Sequence, residues 1–263
     1  MSLLRKYFKI SLKLGIFSWI CLLIAWTFIS SFYDAQFFPS PIEAVLGAEE
    51  LILDGTLIHF IFISLQRVLV GWVIGNAIAV PVGILIGRIE IIKQFIEPFL
   101  DFFRFIPAIA FITLFIMWFG IGEESKIMLI IYATGFAAMI NTVSGVLSVD
   151  KIKIQAARSL GANELQIIFY IIIPAALPYI FTGIRLGMGN AFMAIVGAEM
   201  IAAKEGIGYL IFTSRMYFRT DWIFVGLISL GLMGYFSDRI LQFIGVKVLR
   251  KYGIKKETQF SRN

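Results

Sequence analysis

An all-α protein that crosses a membrane several times is the fold class this sequence predicts, and three observations carry the prediction. Hydrophobic residues make up 59% of the chain and charged residues 15%, against about 25% charge in a soluble domain. The apolar residues gather into long runs, and a run of roughly 20 is enough to cross a bilayer core as a helix. The alternating strands of a barrel are missing, so helices are the form in which these runs satisfy their backbone in lipid. The pattern gives about six spans. A soluble two-domain protein is excluded by the same composition. Cys21, the one cysteine, lies in an apolar run and offers neither a disulfide frame nor a thiolate metal site. No cofactor or metal is expected.

The elements follow in order. The first residues carry Arg5, Lys6, Lys9 and Lys13, and an apolar run over 14–29 follows. With Trp19 and Trp26 inside it and no small-x-small cleavage site, the run is a retained first span rather than a signal peptide. Residues 30–56 hold Asp34, Glu43, Glu49, Glu50 and Asp54 with no Lys or Arg, which marks an outward stretch. Its Phe38-Pro39-Ser40-Pro41 is a helix breaker. The second span covers 57–86, and its Gly71, Gly75, Ala79, Gly83 and Gly87 recur every fourth residue. Such a ladder lets a neighbouring backbone approach, and Pro81 is expected to kink the helix.

Arg88 and Lys93 mark an inner loop, and the third span (95–119) is interrupted by Pro98 and Pro107. A fourth span covers 126–147. A fifth starts near Glu164, broken by Pro174 and Pro178, and a sixth covers 222–244 before a basic tail from Lys247. The chain divides into a first segment (1–56), a core (57–246) and the tail (247–263), with both ends inside. Most Lys and Arg fall in the inner segments, so the net charge of +6 points to the positive-inside rule and lipid headgroups, not to nucleic acid.

The interval 150–178 is polar where it faces the inside, yet it is written as structure rather than loop. Asp150 is an N-cap, Gly161 a left-handed stop, and Asn163 with Gln166 the cap of a new helix. Between them Ile152, Ala156 and Leu160 share one helical stripe, and Lys151, Gln155 and Arg158 form a polar one beside it. The residues alone leave two readings open: a connector lying on lipid headgroups, or a docking helix for a partner.

Gln155-Ala156-Ala157, Gly161, Ile171, Ile173 and Pro174 resemble the loop signature of ABC importer membrane subunits, Glu-Ala-Ala-(x)3-Gly-(x)9-Ile-x-Leu-Pro. Gln155 stands for the Glu and Ile173 for the Leu. The likeness extends to Pro39-Ser40-Pro41, Ser64-Leu65-x-Arg67-Val68, Phe103-Arg104-x-Ile106-Pro107, Trp118-Phe119-Gly120-Ile121-Gly122 and Arg219-Thr220-Asp221. Together these resemble the permease subunits of the nitrate, sulfonate, taurine and bicarbonate branch.

That resemblance implies a type I permease fold with a cytoplasmic coupling helix. Lys151, Gln155, Ala156, Ala157, Arg158, Leu160 and Gly161 would meet an ATP-hydrolysing subunit. It also implies a bacterial inner-membrane location, a permease pair (a homodimer), two ATP-binding subunits, an external or lipid-anchored solute-binding protein, and a small solute such as an anion.

The chain has no Gly-x-x-x-x-Gly-Lys-Ser/Thr phosphate loop of its own, so it is not expected to be an enzyme. Charged residues within spans are functional candidates by default. Arg67 and Arg104 are expected in structural pairs with Glu97, Asp101 or Glu199. Arg185 and Glu199, with Gly187, Ala191 and Ala194, are candidates for the solute path, helix packing being the equal alternative. The rival class is a secondary transporter driven by an ion gradient. It would need intramembrane acids, and these are few and near span ends.

Overall fold

A computed structural model of the chain describes residues 15–252. The expected basic positions Arg5, Lys6, Lys9, Lys13, Lys255, Lys256 and Arg262 lie outside the described residues. So does most of the tail from 247.

The described residues hold helices and no strands. α1 (Ile16–Ser30) is followed by α2 (Pro41–Leu53). The prolines expected to break helix here begin one: Pro41 occupies the first helical position, where its missing N–H costs nothing. Ser40 closes a capping box with Glu43, donating its N–H to Glu43 Oε2 at 2.6 Å and accepting the Glu43 N–H at its own Oγ.

α3 (Thr56–Arg88) runs unbroken through Pro81 for 33 residues. Its glycine ladder packs on α6 (Glu123–Leu147) as the spacing predicts. A Cβ on Gly71 would stand 2.6 Å from Ile130 Cβ, and one on Gly83 2.8 Å from Thr142 Cβ.

The third span is bent. α4 (Glu90–Phe103) contains Pro98 without ending there. The break falls at Pro107, which disfavours helical geometry at Ile106. A 3-10 turn (Ala108–Phe111) and α5 (Ile112–Phe119) then leave at 92° to α4.

After α6 come α7 (Lys151–Ser159), α8 (Glu164–Ile167) and a π-helical stretch (Ile168–Ile172) that leads into α9 (Ile173–Ala202). Pro178 lies inside α9 without breaking it. α10 (Ile207–Met216) and α11 (Thr220–Lys251) complete the chain.

Four helical stretches are long and apolar enough to span a membrane: α3, α6, the joined 164–202 and α11. The bent pair makes a fifth. α1 is apolar but 15 residues long, about 22 Å of helix against a core of about 30 Å. The expected count of about six therefore includes one bent span and one short one. One core cluster gathers Val146, Ile167, Ile172, Ala176 and Ile180 near α7, and a second gathers Leu51, Val68, Ile130, Ile195 and Ile207. Many large apolar side chains, such as Phe62 and Ile78, stay exposed around the bundle, as lipid permits.

Candidate functional site

At one end of the bundle, α7 is capped at both ends as the sequence predicts. Asp150 Oδ1 accepts the Ile152 N–H at 2.8 Å. Gly161 has φ 85° and closes the helix, with the Ala162 N–H on the Ala157 carbonyl at 3.0 Å. A Cβ on Gly161 would meet nothing within 4 Å, so the backbone conformation, not space, asks for glycine.

No residue of α7 is buried. Ile154 and Ala157 pack partly onto the core cluster of Val146, Ile167 and Ile172. The stripe of Ile152, Ala156 and Leu160 faces outward instead, with Ile152 71% and Leu160 88% exposed. Lys151, Lys153, Gln155 and Arg158 are exposed around it. An open cleft of 430 Å³ lies alongside, between Leu160, Gly161 and Tyr170. Next in the chain, Asn163 and Gln166 form the predicted capping box, each side-chain oxygen accepting the other's N–H at 2.9 Å. Glu164 accepts from both Arg88 and Arg158.

At the opposite end of the bundle, Arg67 is 4% exposed and reaches three elements. It makes a two-point contact with Glu123 of α6 at 2.6 and 2.7 Å, and donates to Glu199 of α9 at 2.8 Å and to the Glu205 carbonyl at 2.8 Å. Lys126 supports Glu123 at 2.8 Å. Glu199 is fully buried and saturated: Ser64 and the Gly208 N–H donate to it as well, each at 2.8 Å. The Ile207 N–H donates in turn to Ser64 Oγ. Two of the free backbone donors at the start of α10 are thereby satisfied, and α10 is pinned to α3 and α9.

A second tie joins α2 to α11. Arg219 binds Glu50 and Asp221 and stacks on Trp222, 3.9 Å from the ring centroid. The Arg219 guanidinium holds the Glu50 carboxyl below the usual carboxylate range, and Asp221, with Glu50 after it, raises the pKa of Arg219.

Arg67 pairs with Glu199 and with Glu123. Arg104 takes Asp101 at 3.2 Å. Arg185 pairs with neither Glu97, Asp101 nor Glu199. It forms a two-point contact with Asp238 of α11, both bonds 2.8 Å. No spacing in the sequence signals a partner 53 positions away.

Among the residues considered for a solute path, Gly187 lies against Thr134 of α6, and Ala191 and Glu199 are fully buried. Small residues there let α6 and α9 approach. Ala194 borders a half-open cavity of 320 Å³ where the bent span meets α6 and α9. Arg104, Ile106, Tyr132, Phe136, Asn190 and Met193 also line it. Tyr132 donates to the Phe103 carbonyl at 3.1 Å, satisfying backbone at the bend.

Comparison with known proteins agrees with this architecture. The family model for the binding-protein-dependent transport system inner membrane component matches residues 79–250. A putative aliphatic sulfonates transport permease of Bacillus subtilis is 36% identical over 217 residues, 82% of this chain and 79% of its own. The taurine transport system permease of Escherichia coli is 30% identical over 92% of this chain and 88% of its own. The nitrate import permease of Synechocystis is 32% identical over 85% and 84%. Among solved structures, an inward-facing MetNI methionine ABC transporter superposes with a TM-score of 0.63 over 75% of this chain and 96% of its own, at 20% identity, a likeness of fold. With the bundle, the caps around α7 and these relatives in agreement, the chain belongs to the binding-protein-dependent inner-membrane components, the multi-pass permease subunits of ABC importers.

Proposed function

We propose that this permease, paired with a second copy, imports a small anion when two ATP-hydrolysing subunits drive α7 from the cytoplasmic side. Both chain ends then lie in the cytoplasm, and a solute-binding protein delivers the anion from outside. The observation that carries the proposal is the outward stripe of Ile152, Ala156 and Leu160 on a short helix capped at both ends. Apolar side chains held in that position cover a partner's groove.

Lys151 and Lys153 beside the stripe suit an acidic groove. With Gln155 in place of the family's Glu, the ionic part of docking falls to these lysines, and the steric part to Ala156, Ala157 and Gly161. The anion would pass the cavity at the bent span, where Arg104 offers the charge, Asn190 an amide, and Phe136, Met193 and Ala194 an apolar wall. Broken helices line solute paths in membrane transporters because their free backbone groups need a polar cavity.

Leu160→Asp tests the docking role. Leu160 supports nothing inside the protomer, so the variant inserts and folds. It is expected to lose ATP-driven uptake and to hold its ATPase subunits at least about tenfold more weakly, the scale for one buried apolar anchor. Gly161→Asp should act in the same direction. Normal ATPase assembly and stimulation in both variants would count against docking.

A further inference from the structure

We propose that Glu164 is a positioning residue that ties the coupling helix to a second span, so that a movement of α7 enters α3 as well as α9. The inference rests on the docking role above. Along the chain, α7 connects to α9 through α8 and the π-helical stretch Ile168–Ile172. That stretch has a cause. Pro174 has no N–H to give the carbonyl four positions back, at Tyr170, and its ring crowds that carbonyl. π-Helical turns concentrate where helices yield at functional sites. A push from α7 through this joint alone would be partly absorbed in bending it.

The side chain of Glu164 supplies a lateral link. One oxygen accepts from Arg88, the last residue of α3, at 2.5 Å. The other accepts from Arg158, in the last turn of α7, at 2.7 Å. Each carboxylate oxygen has its own cation, so the two arginines do not compete. Arg88 is the anchored member, 20% exposed against 54% for Arg158 and 57% for Glu164. Pairs this exposed add little to stability. They can still fix the direction of a segment whose other connection bends, because only the energy difference between two orientations matters there. Glu164 also sits in the first turn of α8, where a carboxylate suits the helix end. Removing Arg88 leaves that local role intact and so separates the two.

The test uses the assembled complex, permease with its ATPase subunits and binding protein, in lipid vesicles. Cys21 is replaced by serine, and single reporter cysteines replace Leu85 on α3 or the exposed Ala175 on α9. Their rates of labelling by a maleimide are compared with and without ATP trapped by vanadate. With the link intact, trapping changes the rate at both reporters. In Arg88→Ala and Glu164→Ala the response at Ala175 persists, while that at Leu85 falls about threefold, the scale of an exposed ion pair. Arg88→Lys keeps it. An undiminished Leu85 response in Arg88→Ala, or none even with the link intact, overturns the proposal. Loss of the docking role itself would look different, with neither reporter responding to trapped ATP.

Discussion

At the residue scale, the charged side chains fall into two classes that burial separates. Glu199 is fully buried with donors from Arg67, Ser64 and Gly208. Glu199→Ala would leave one N–H of the buried Arg67 guanidinium and the Gly208 backbone N–H without an acceptor, and breaking a buried pair from one side costs about 3–5 kcal/mol. Thermal unfolding of the purified permease in detergent should show a large drop in Tm. The Arg104–Asp101 pair is exposed on both sides, so Asp101→Ala should move stability by about 0–1 kcal/mol in the same assay. Acid should act on the tie of Glu50 and Arg219. Glu50 has its folded pKa lowered by the Arg219 guanidinium. Its contribution is therefore full above the unfolded carboxylate value of about 4.5 and lost as pH falls through the lower folded value. The protection of α2 amides, taken relative to the intrinsic exchange rate at each pH, should fall below about pH 4.5, and Glu50→Gln should remove that pH dependence.

At the element scale, the seam between α3 and α6 offers a controlled comparison. A Cβ on Gly83 would press on Thr142 Cβ at 2.8 Å and on the Met139 carbonyl at 3.0 Å, whereas one on Gly189 meets nothing within 4 Å. Gly83→Ala should therefore destabilise by about 1–3 kcal/mol through overpacking. Gly189→Ala should stabilise by up to about 1 kcal/mol, since glycine disfavours a helix interior. Paired melting curves decide it. This seam was legible because a four-residue period of small residues survives in one sequence as a pattern, and so were the caps at Asp150, Gly161 and Asn163. The helix α2 was legible too, in Ser40-Pro41-x-Glu43, but the prolines drew the weight of the signal toward a break. The orientation of α7 was not, since Ile154–Ala157 and Ile152–Ala156–Leu160 are equally regular stripes and only the bundle above selects which one packs. The 92° bend was legible as a break at Pro107 but not as an angle, which packing against α6 and α9 sets. Arg185 with Asp238 was hidden for a third reason: long-range pairs leave no period to read.

At the scale of the whole molecule, the same two helices carry both ends of the machinery. α3 carries Ser64 and Arg67, which hold Glu199, in its first half and ends at Arg88, linked through Glu164 to α7. The stretch 164–202 starts at Glu164 and finishes near Glu199. Arg67 and Arg88 are about 32 Å apart along the helix, and the glycine seam onto α6 holds most of that length rigid. At the end away from α7, α3 and α9 are clamped together through Arg67 and Glu199. Weakening the clamp should let α10 respond without carrying the two spans along. Arg67→Lys keeps one positive charge but loses the two-point contact with Glu123. In vesicles holding the complete importer, this variant is expected to retain basal ATP hydrolysis, while the stimulation produced by the solute-loaded binding protein falls several-fold, a coupling loss of about 1 kcal/mol. If stimulation stays unchanged while Tm drops, the clamp serves stability alone, and the two ends communicate by another route.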